Sequence, residues 1–124
     1  MSKEGKSRVQ EFGYRAPRFP VEFRVLLETS DTGPQVLVGL CTDISADGLA
    51  VRMAECLSVG TQVLFMFTLP GSATSLRVAG RVTYQKDGEH GFAFMFSSDE
   101  ERDLIQKQLS SLGRRTVPLR RPPR

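Results

Sequence analysis

Residues 76–96, LRVAGRVTYQKDGEHGFAFMF, decide the fold, because they alternate in polarity on both sides of a central turn. Residues 76–84 alternate between apolar and polar, with Tyr84 on the apolar side, and phenylalanines recur at every second position of residues 92–96. A period of two is typical of a half-buried β-strand. The Asp87-Gly88 pair between the runs predicts a tight hairpin turn. The stretch therefore predicts two antiparallel strands.

The same alternation extends towards the N-terminus and predicts four further strands. They cover approximately residues 21–28, 35–44, 48–53 and 63–69, and turn-forming clusters rich in Gly, Pro, Ser and Asp separate most of them. Short strands at this spacing favour a small closed or nearly closed barrel. We therefore predict an all-β fold, a six-stranded antiparallel β-barrel with one C-terminal α-helix.

The helix is predicted from a change of period after residue 97. Residues 98–101 (SDEE) have the pattern of a capping box, with Ser98 as N-cap and Glu101 three residues later. The apolar residues that follow at helical spacing are Leu104, Ile105, Leu109 and Leu112. Gly113 is a typical stop signal, so the helix is expected over residues 99–112, packed on the barrel or over its open end.

Length and composition indicate one domain with a single modest core. We expect a flexible N-terminal arm at residues 1–13, the barrel domain at residues 14–113, and a disordered Arg/Pro-rich tail at residues 114–124. The two ends are basic, whereas residues 25–113 hold six basic against eleven acidic residues. A uniformly basic surface for nucleic acid is not predicted, and the ends are free to meet phosphates, an acidic partner or the body itself.

The sequence predicts a cytoplasmic protein without a membrane segment. No apolar run approaches the roughly 20 residues that span a bilayer, and the N-terminus leads into no hydrophobic segment of a secretory signal. Two cysteines, Cys41 and Cys56, form neither a disulfide framework nor a metal cage. His90 is the single histidine, and without a second ligand nearby it predicts no metal site.

Two polar segments carry the candidate chemistry. Residues 14–20 (YRAPRFP) form an extended basic arm, in which an arginine fork can bind phosphate or the O6/N7 edge of guanine. Alternatively, Arg15 and Arg18 are solvated and pair with surface acids. Residues 43–48 (DISADG) offer the Asp43 carboxylate, the Ser45 hydroxyl and Gly48, which permits close approach or positive φ. This segment can also be a turn that joins two strands.

The two segments in this order resemble the PilZ domain family over roughly residues 12–112. The family pattern is Arg-x-x-x-Arg followed by Asp/Asn-x-Ser-x-x-Gly, and residues 43–48 match the second motif fully. In the first motif, Arg18 takes the place of the second arginine and Tyr14 that of the first, while Arg15 lies one residue away.

The resemblance implies a receptor for the bacterial second messenger cyclic di-GMP. The implied ligand contacts are Arg15, Arg18, Asp43, Ser45 and Gly48, with Tyr14 as a possible stacking partner for a base. In this picture the arm arginines hold phosphates and a guanine edge, and the ligand orders the arm and changes what a protein partner meets. No cofactor and no metal are expected, and the chain is expected to be a monomer or homodimer in motility or biofilm regulation.

Three other classes of function compete with this receptor. A PilZ-fold adaptor that does not bind cyclic di-GMP and only docks proteins is the main alternative, since Tyr14 replaces an arginine. A nucleic-acid-binding barrel is less favoured and rests on the basic ends. An enzyme is least favoured, because no nucleophile, acid–base pair or metal set stands out.

Overall fold

Six strands and one helix form the part of the chain that the computed structural model describes, residues 17–29 and 34–120, with side chains as far as residue 112. The elements are β1 (Phe19–Thr29), β2 (Gln35–Ile44), β3 (Gly48–Arg52), β4 (Gln62–Thr68), β5 (Ser75–Lys86), β6 (Glu89–Met95) and α1 (Asp99–Arg120). Every strand lies where the alternation predicts one.

The strands pair antiparallel and close into a barrel in the order β1-β2-β3-β6-β5-β4. Because β1 pairs with both β2 and β4, the first strand closes the barrel: Leu26 lies between Val38 on one side and Met66 on the other. The predicted six-stranded antiparallel barrel with one C-terminal helix is therefore confirmed.

The turn between β5 and β6 has the geometry that its sequence predicts. Asp87 and Gly88 both have positive φ (52° and 86°), and Lys86 pairs with Glu89 across a two-residue loop. Positive φ at both central residues is typical of the hairpin turn that matches strand twist. This turn fixes the register of the pair that supplies half of the residues lining the cleft described below.

Alternate residues of each strand fill the barrel with apolar side chains. Phe65 is fully buried at the centre and meets Phe92 edge to face, with ring centroids 4.8 Å apart. His90 is also fully buried, where Nε2 accepts a hydrogen bond from the Leu57 N–H (3.0 Å) and Nδ1 lies 3.3 Å from the Gly88 carbonyl oxygen. The ring therefore holds the β3–β4 connection against the hairpin as the tautomer protonated on Nδ1.

Helix α1 packs on the barrel with a narrower stripe than predicted. Ile105, Leu109 and Leu112 are buried, but Leu104 is 40% exposed. The prediction for Leu104 was wrong, because residues at i, i+4 and i+7 already form one face and Leu104 points about 100° away from Ile105. In the described part of the chain, no helix is long and apolar enough to cross a membrane.

The helix begins as predicted, with a small change in its cap. The Ser98 Oγ accepts a hydrogen bond from the Glu101 N–H at 3.2 Å, as an N-cap residue should. The Glu101 carboxylate, however, accepts from the N–H of Ser97 at 2.7 Å. The reciprocal bond of the capping box therefore reaches one residue beyond the N-cap.

The helix ends later than predicted. Its backbone continues through Gly113 to Arg120, so the predicted stop at Gly113 was wrong. A glycine inside a helix costs only about 1 kcal/mol relative to alanine, and it ends a helix only where the chain turns away. The last helical turns extend into the predicted tail, and residues 121–124 lie outside the described residues.

Candidate functional site

A cleft of about 310 Å³ opens on the outer barrel surface, where β3, β5 and β6 meet the residues that precede β1. Residues that line it include Arg18, Ser45, Asp47, Gly48, Tyr84 and Gly91. Its volume lies at the lower end of the range for small-molecule sites, roughly 300–1,000 Å³. The cleft thus combines both predicted polar segments with part of the β5–β6 hairpin.

Arg18 and Asp43 form an ion pair at the rim of this cleft. Phe19 pairs with Ile44 at the start of β1, which brings Arg18 next to the end of β2. The Arg18 Nη2 lies 2.6 Å from the Asp43 Oδ1, and the two side chains are 47% and 32% exposed. An exposed pair contributes only about 0–1 kcal/mol to stability. An anion can therefore take the place of the carboxylate beside Arg18 at little cost.

Ser45 holds the turn between β2 and β3 from within. Its side chain is almost fully buried, and its Oγ accepts a hydrogen bond from the Asp47 N–H at 3.1 Å. The Ser45 N–H donates to the Gly48 carbonyl oxygen at 2.8 Å, which closes the turn. The hydroxyl lines the cleft but already has a partner, so its direct contact with a ligand stays a prediction. Its evident effect is to fix Asp47 and the turn backbone at the cleft.

Gly48 is required because two backbones approach closely. A Cβ atom added there would lie 1.9 Å from the Phe92 carbonyl oxygen on β6. The glycines with positive φ in the described chain are Gly60, Gly71 and Gly88, so Gly48 is not needed for a left-handed conformation. Of the two explanations that the sequence allowed, the close approach applies, and the approaching group is the protein's own backbone.

Tyr84 is a cleft residue that the sequence did not identify. The alternation predicted it on the apolar face, but the register of β5 shifts between Val82 and Tyr84, which is a β-bulge. One extra residue reverses the direction of the following side chain. Tyr84 is consequently 46% exposed, and its ring covers Gly91, where an added Cβ would lie 2.1 Å from the ring. The glycine is what lets the ring lie flat against the strand.

The structure brings four of the six predicted ligand contacts to one place: Arg18, Asp43, Ser45 and Gly48. Tyr14 and Arg15 lie outside the described residues, so their contacts stay predictions. Arg18 is the one cation among the described residues that line the cleft. No three His, Cys, Asp or Glu side chains of the described chain are grouped so that they could hold a metal ion.

Cys41 lies directly behind the Asp43 segment and is chemically quiet. Its Sγ donates to the Asp43 carbonyl oxygen at 3.3 Å. Burial, with a smaller contribution from the negative charge of Asp43, raises the pKa of the Cys41 thiol from 9.0 to about 12. Because the unfolded thiol loses its proton at a lower pH than the folded one, stability supplied by this burial is complete below pH 9 and is lost as the pH rises towards 12.

This contrast predicts selective labelling of the two cysteines. At pH 8, iodoacetamide should modify exposed Cys56 in the folded chain and leave Cys41 intact, because alkylation requires the thiolate and access to it. Mass spectrometry should find one label before denaturation and two after it. The Cys56→Ser variant should take up no label while folded. Labelling of Cys41 in that variant without unfolding would contradict the buried placement of the thiol.

Comparison with known proteins identifies the family of the chain. The family model described as "PilZ domain" matches residues 14–111, most of the chain. The chain belongs to the PilZ domain family. PilZ domains are regulatory receptor domains rather than enzymes, and the family binds cyclic di-GMP as a ligand. No curated protein matches this PilZ chain.

Solved structures show the same fold at low sequence identity. The PilZ domain of CeSA from a cellulose-synthesizing bacterium has a TM-score of 0.65 and 23% identity, over 79% of this chain and 99% of that one. YcgR from Escherichia coli in complex with c-di-GMP has a TM-score of 0.65 and 17% identity, over 85% of this chain and 48% of that one. The Bacillus subtilis inhibitor of motility, MotI/DgrA, has a TM-score of 0.58 and 18% identity, over 87% of this chain and 53% of that one. This PilZ domain therefore spans about half the length of YcgR and of MotI.

Proposed function

We propose that this PilZ domain binds cyclic di-GMP in the cleft between the Arg18 segment and the turn at residues 43–48, and relays its level to a protein partner. The observation that supports this most directly is the exposed ion pair between Arg18 and Asp43. It joins an anion-binding guanidinium to a carboxylate in one accessible place. A simple monovalent ion would contact only one of these groups, whereas a guanine nucleotide can use both, the guanidinium for phosphate and the carboxylate for the base.

The groups at the cleft match the phosphate and guanine chemistry of the ligand. The Arg18 guanidinium provides a fork for a phosphate or for the O6/N7 edge of guanine. Asp43 is an acceptor for the N1–H and N2–H₂ donors of the opposite guanine edge. The exposed Tyr84 ring offers a flat face on which a base can stack. Asp47, exposed at the same cleft, supplies a second acceptor.

Relay to a partner is supported by the neighbours of Arg18. Pro17 and Phe19, on either side of it, line a second cavity of about 280 Å³ together with Ala46 of the turn and Gln106 and Leu109 of α1. A ligand that draws Arg18 away from Asp43 also moves the backbone between Pro17 and Phe19. The displacement reaches the helix surface, and contacts of Tyr14 and Arg15 with the ligand would extend the change.

Isothermal titration of the full chain with cyclic di-GMP tests the proposal. We expect saturable binding at or below tens of micromolar ligand. GMP, which carries one base and no second nucleotide, is the matched control and should bind far more weakly. Absence of heat and of saturation across that range would remove cyclic di-GMP as the ligand.

We expect the loss of the Tyr84 ring to weaken this binding by roughly tenfold, because base–aromatic stacking contributes about 1–3 kcal/mol per base. Tyr84→Phe keeps the ring and should bind within about twofold of the parent chain. Titration of Tyr84→Ala and Tyr84→Phe side by side measures the difference. Equal affinity for the two variants would place the base away from this ring.

Tyr14 motivates a second candidate function, an adaptor of the same fold that docks proteins and does not bind cyclic di-GMP. In the family pattern this position is an arginine, so one phosphate contact is missing from the motif. A Tyr14→Arg variant separates the two functions by titration. Binding that appears only in the variant favours the adaptor, whereas good binding by both chains favours the receptor.

A further inference from the structure

An apolar surface lies on the outside of the barrel, away from the cleft. We call it the outer patch and define it by Leu26 on β1, Val36 and Val38 on β2, and Leu64 and Met66 on β4. Leu26, Val36 and Val38 are 41%, 58% and 53% exposed, and Leu64 and Met66 are partly exposed. The strand register makes the patch continuous, since Leu26 pairs with Val38 and with Met66.

The outer patch belongs to a different side of the molecule from the proposed ligand site. In the closed strand order, β1 lies opposite β6, and the patch is centred on β1. The cleft takes its residues from β3, β5, β6 and the segment before β1. Clustered apolar side chains on an outer sheet face indicate a binding surface more often than a scattered few do.

Two opposite charges flank the patch symmetrically. Arg24 and Glu28 are both exposed on the outer face of β1, two residues before and two residues after Leu26. Each therefore lies about 7 Å from Leu26 along the strand. Within the described chain neither side chain has a salt-bridge partner, whereas Arg18, Arg52 and Arg102 each do. Along β1 the surface thus carries a positive end, an apolar centre and a negative end, while exposed Arg77 on β5 contacts the Met66 sulfur at the edge of the patch.

We propose that the outer patch is a homodimer interface, in which two copies are related by a two-fold axis. The axis lies in the plane of the interface, runs perpendicular to β1 and passes through the contact at Leu26. A two-fold axis in this direction reverses the strand, so that Arg24 of each copy faces Glu28 of the other while the apolar centres meet. The occupant that satisfies both charged ends at once is a second copy of this chain. A partner that carried a single sign of charge would satisfy one end and oppose the other.

The patch is small for an interface, although area alone does not set affinity. Five side chains form less than a standard interface of about 800 Å² per partner, which is the size of weak and transient contacts, so we expect a dimer that forms at roughly 10–100 μM chain. Sedimentation velocity of the full chain over a concentration series from about 5 to 500 μM, which brackets this range, measures it. A chain that stays monomeric at the upper end of the series overturns the proposal.

Charge reversal tests the symmetry. Arg24→Glu places two acids opposite each other, and Glu28→Arg places two bases there, so each variant alone should associate at least tenfold more weakly than the parent. A mixture of the two variants restores both pairs, because each position then meets its opposite charge. We expect the mixture to form heterodimers about as tightly as the parent forms homodimers. A mixture that stays monomeric while the parent dimerises overturns the proposed axis.

Cross-linking provides a second, geometric test in a Cys56→Ser background. Facing sheets pack about 10 Å apart, so Leu26→Cys should lie within reach of its own copy for a short bifunctional maleimide. In the Arg24→Cys chain, position 24 of one copy would be offset by about 13 Å along the strand from position 24 of the other. This variant should therefore cross-link poorly when it is the only chain present. Arg24→Cys mixed with Glu28→Cys should cross-link well. Efficient linking of Arg24→Cys to itself, or linking of none of these chains, overturns the arrangement.

Folding of each variant is checked by its thermal melt. The three substituted side chains are exposed, so the melts should match that of the parent to within a few degrees. Loss of association with an unchanged melt supports the interface. Leu26→Glu tests the centre of the patch. If the Leu26→Glu chain associates as tightly as the parent, the parent dimerises through another surface and the proposal is contradicted.

Discussion

Arg18→Ala should lower the affinity for cyclic di-GMP by about 100-fold, the largest effect on binding that we expect from one side chain. A charge-assisted bidentate contact contributes up to about 3 kcal/mol, and each 1.4 kcal/mol corresponds to a factor of ten. Arg18 is the one cation among the described residues that line the cleft, so none of those residues can take its place. Titration calorimetry at constant salt measures the change.

The stability of the chain should hardly change in this variant. The pair that Arg18 forms with Asp43 is about half exposed on the arginine side, and such pairs contribute at most about 1 kcal/mol. Arg77→Ala is a matched control, since it removes an exposed arginine of the same barrel whose described contact is the Met66 sulfur. It should bind as the parent does.

Arg18→Lys refines the experiment. Lysine keeps the charge and loses the planar fork, so we expect an intermediate loss of roughly tenfold. If Arg18→Ala and the parent bind cyclic di-GMP equally, the ligand does not use this end of the cleft and the site proposed above is wrong. If both fail to bind while Tyr14→Arg succeeds, the adaptor function is the better description.

Gly48→Ala should lower the free energy of unfolding by about 3 kcal/mol, near the upper end of the usual cost of overpacking. The new methyl group would meet the Phe92 carbonyl oxygen at 1.9 Å, and a backbone oxygen held in a barrel cannot rotate aside as a side chain can. Either the start of β3 or the middle of β6 has to move. Urea denaturation, followed by circular dichroism, measures the loss from the midpoint at constant slope.

Gly60→Ala separates the steric effect from the loss of glycine itself. Gly60 has a φ of 97° and nothing within 4 Å of an added Cβ, so its substitution introduces backbone strain without a clash. That strain costs roughly 1–2 kcal/mol. The Gly48 variant should therefore be the less stable of the two. The opposite order would mean that the two strands can separate at Gly48 without cost.

The strands were predictable because each contributes one face to a core and the other to solvent. In β4 and β6 the buried side chains occupy alternate positions, and that periodicity is present in the sequence itself. The Asp87-Gly88 turn was predictable for a local reason, since few residue pairs accept positive φ at both positions. A closed or nearly closed barrel was inferred from the number and spacing of the strands, whereas the pairing of β1 with β4 that closes it was not predicted.

The site was predicted less completely than the fold. Motif matching found Asp43 and Gly48, but the partner that makes Gly48 necessary is the Phe92 carbonyl, about 40 residues further along the chain. Tyr84 was missed because one inserted residue in β5 reverses the alternation, and the bulge has no signature in composition. Gly91, which receives the ring, was the available signal: a glycine inside a strand often marks close packing.

The helix boundary was missed for a different reason. A glycine makes a helix end more probable but does not force it, and the backbone of α1 passes through Gly113. At Gly113 the local preference against helix is only about 1 kcal/mol, so it does not by itself end the helix. Leu104 was misplaced because it points about 100° away from Ile105, off the face that packs on the barrel.

The circular hydrogen-bonding of the six strands also limits how this domain can communicate. A sheet with free edges can recruit an extended peptide as an additional strand, and it can equally recruit copies of itself into fibrils. A ring without edges allows neither. Whatever reads the state of this domain has to do so through side chains, through the segment that carries Arg18, or through the exposed flank of α1, and the same architecture protects the chain against edge-to-edge aggregation.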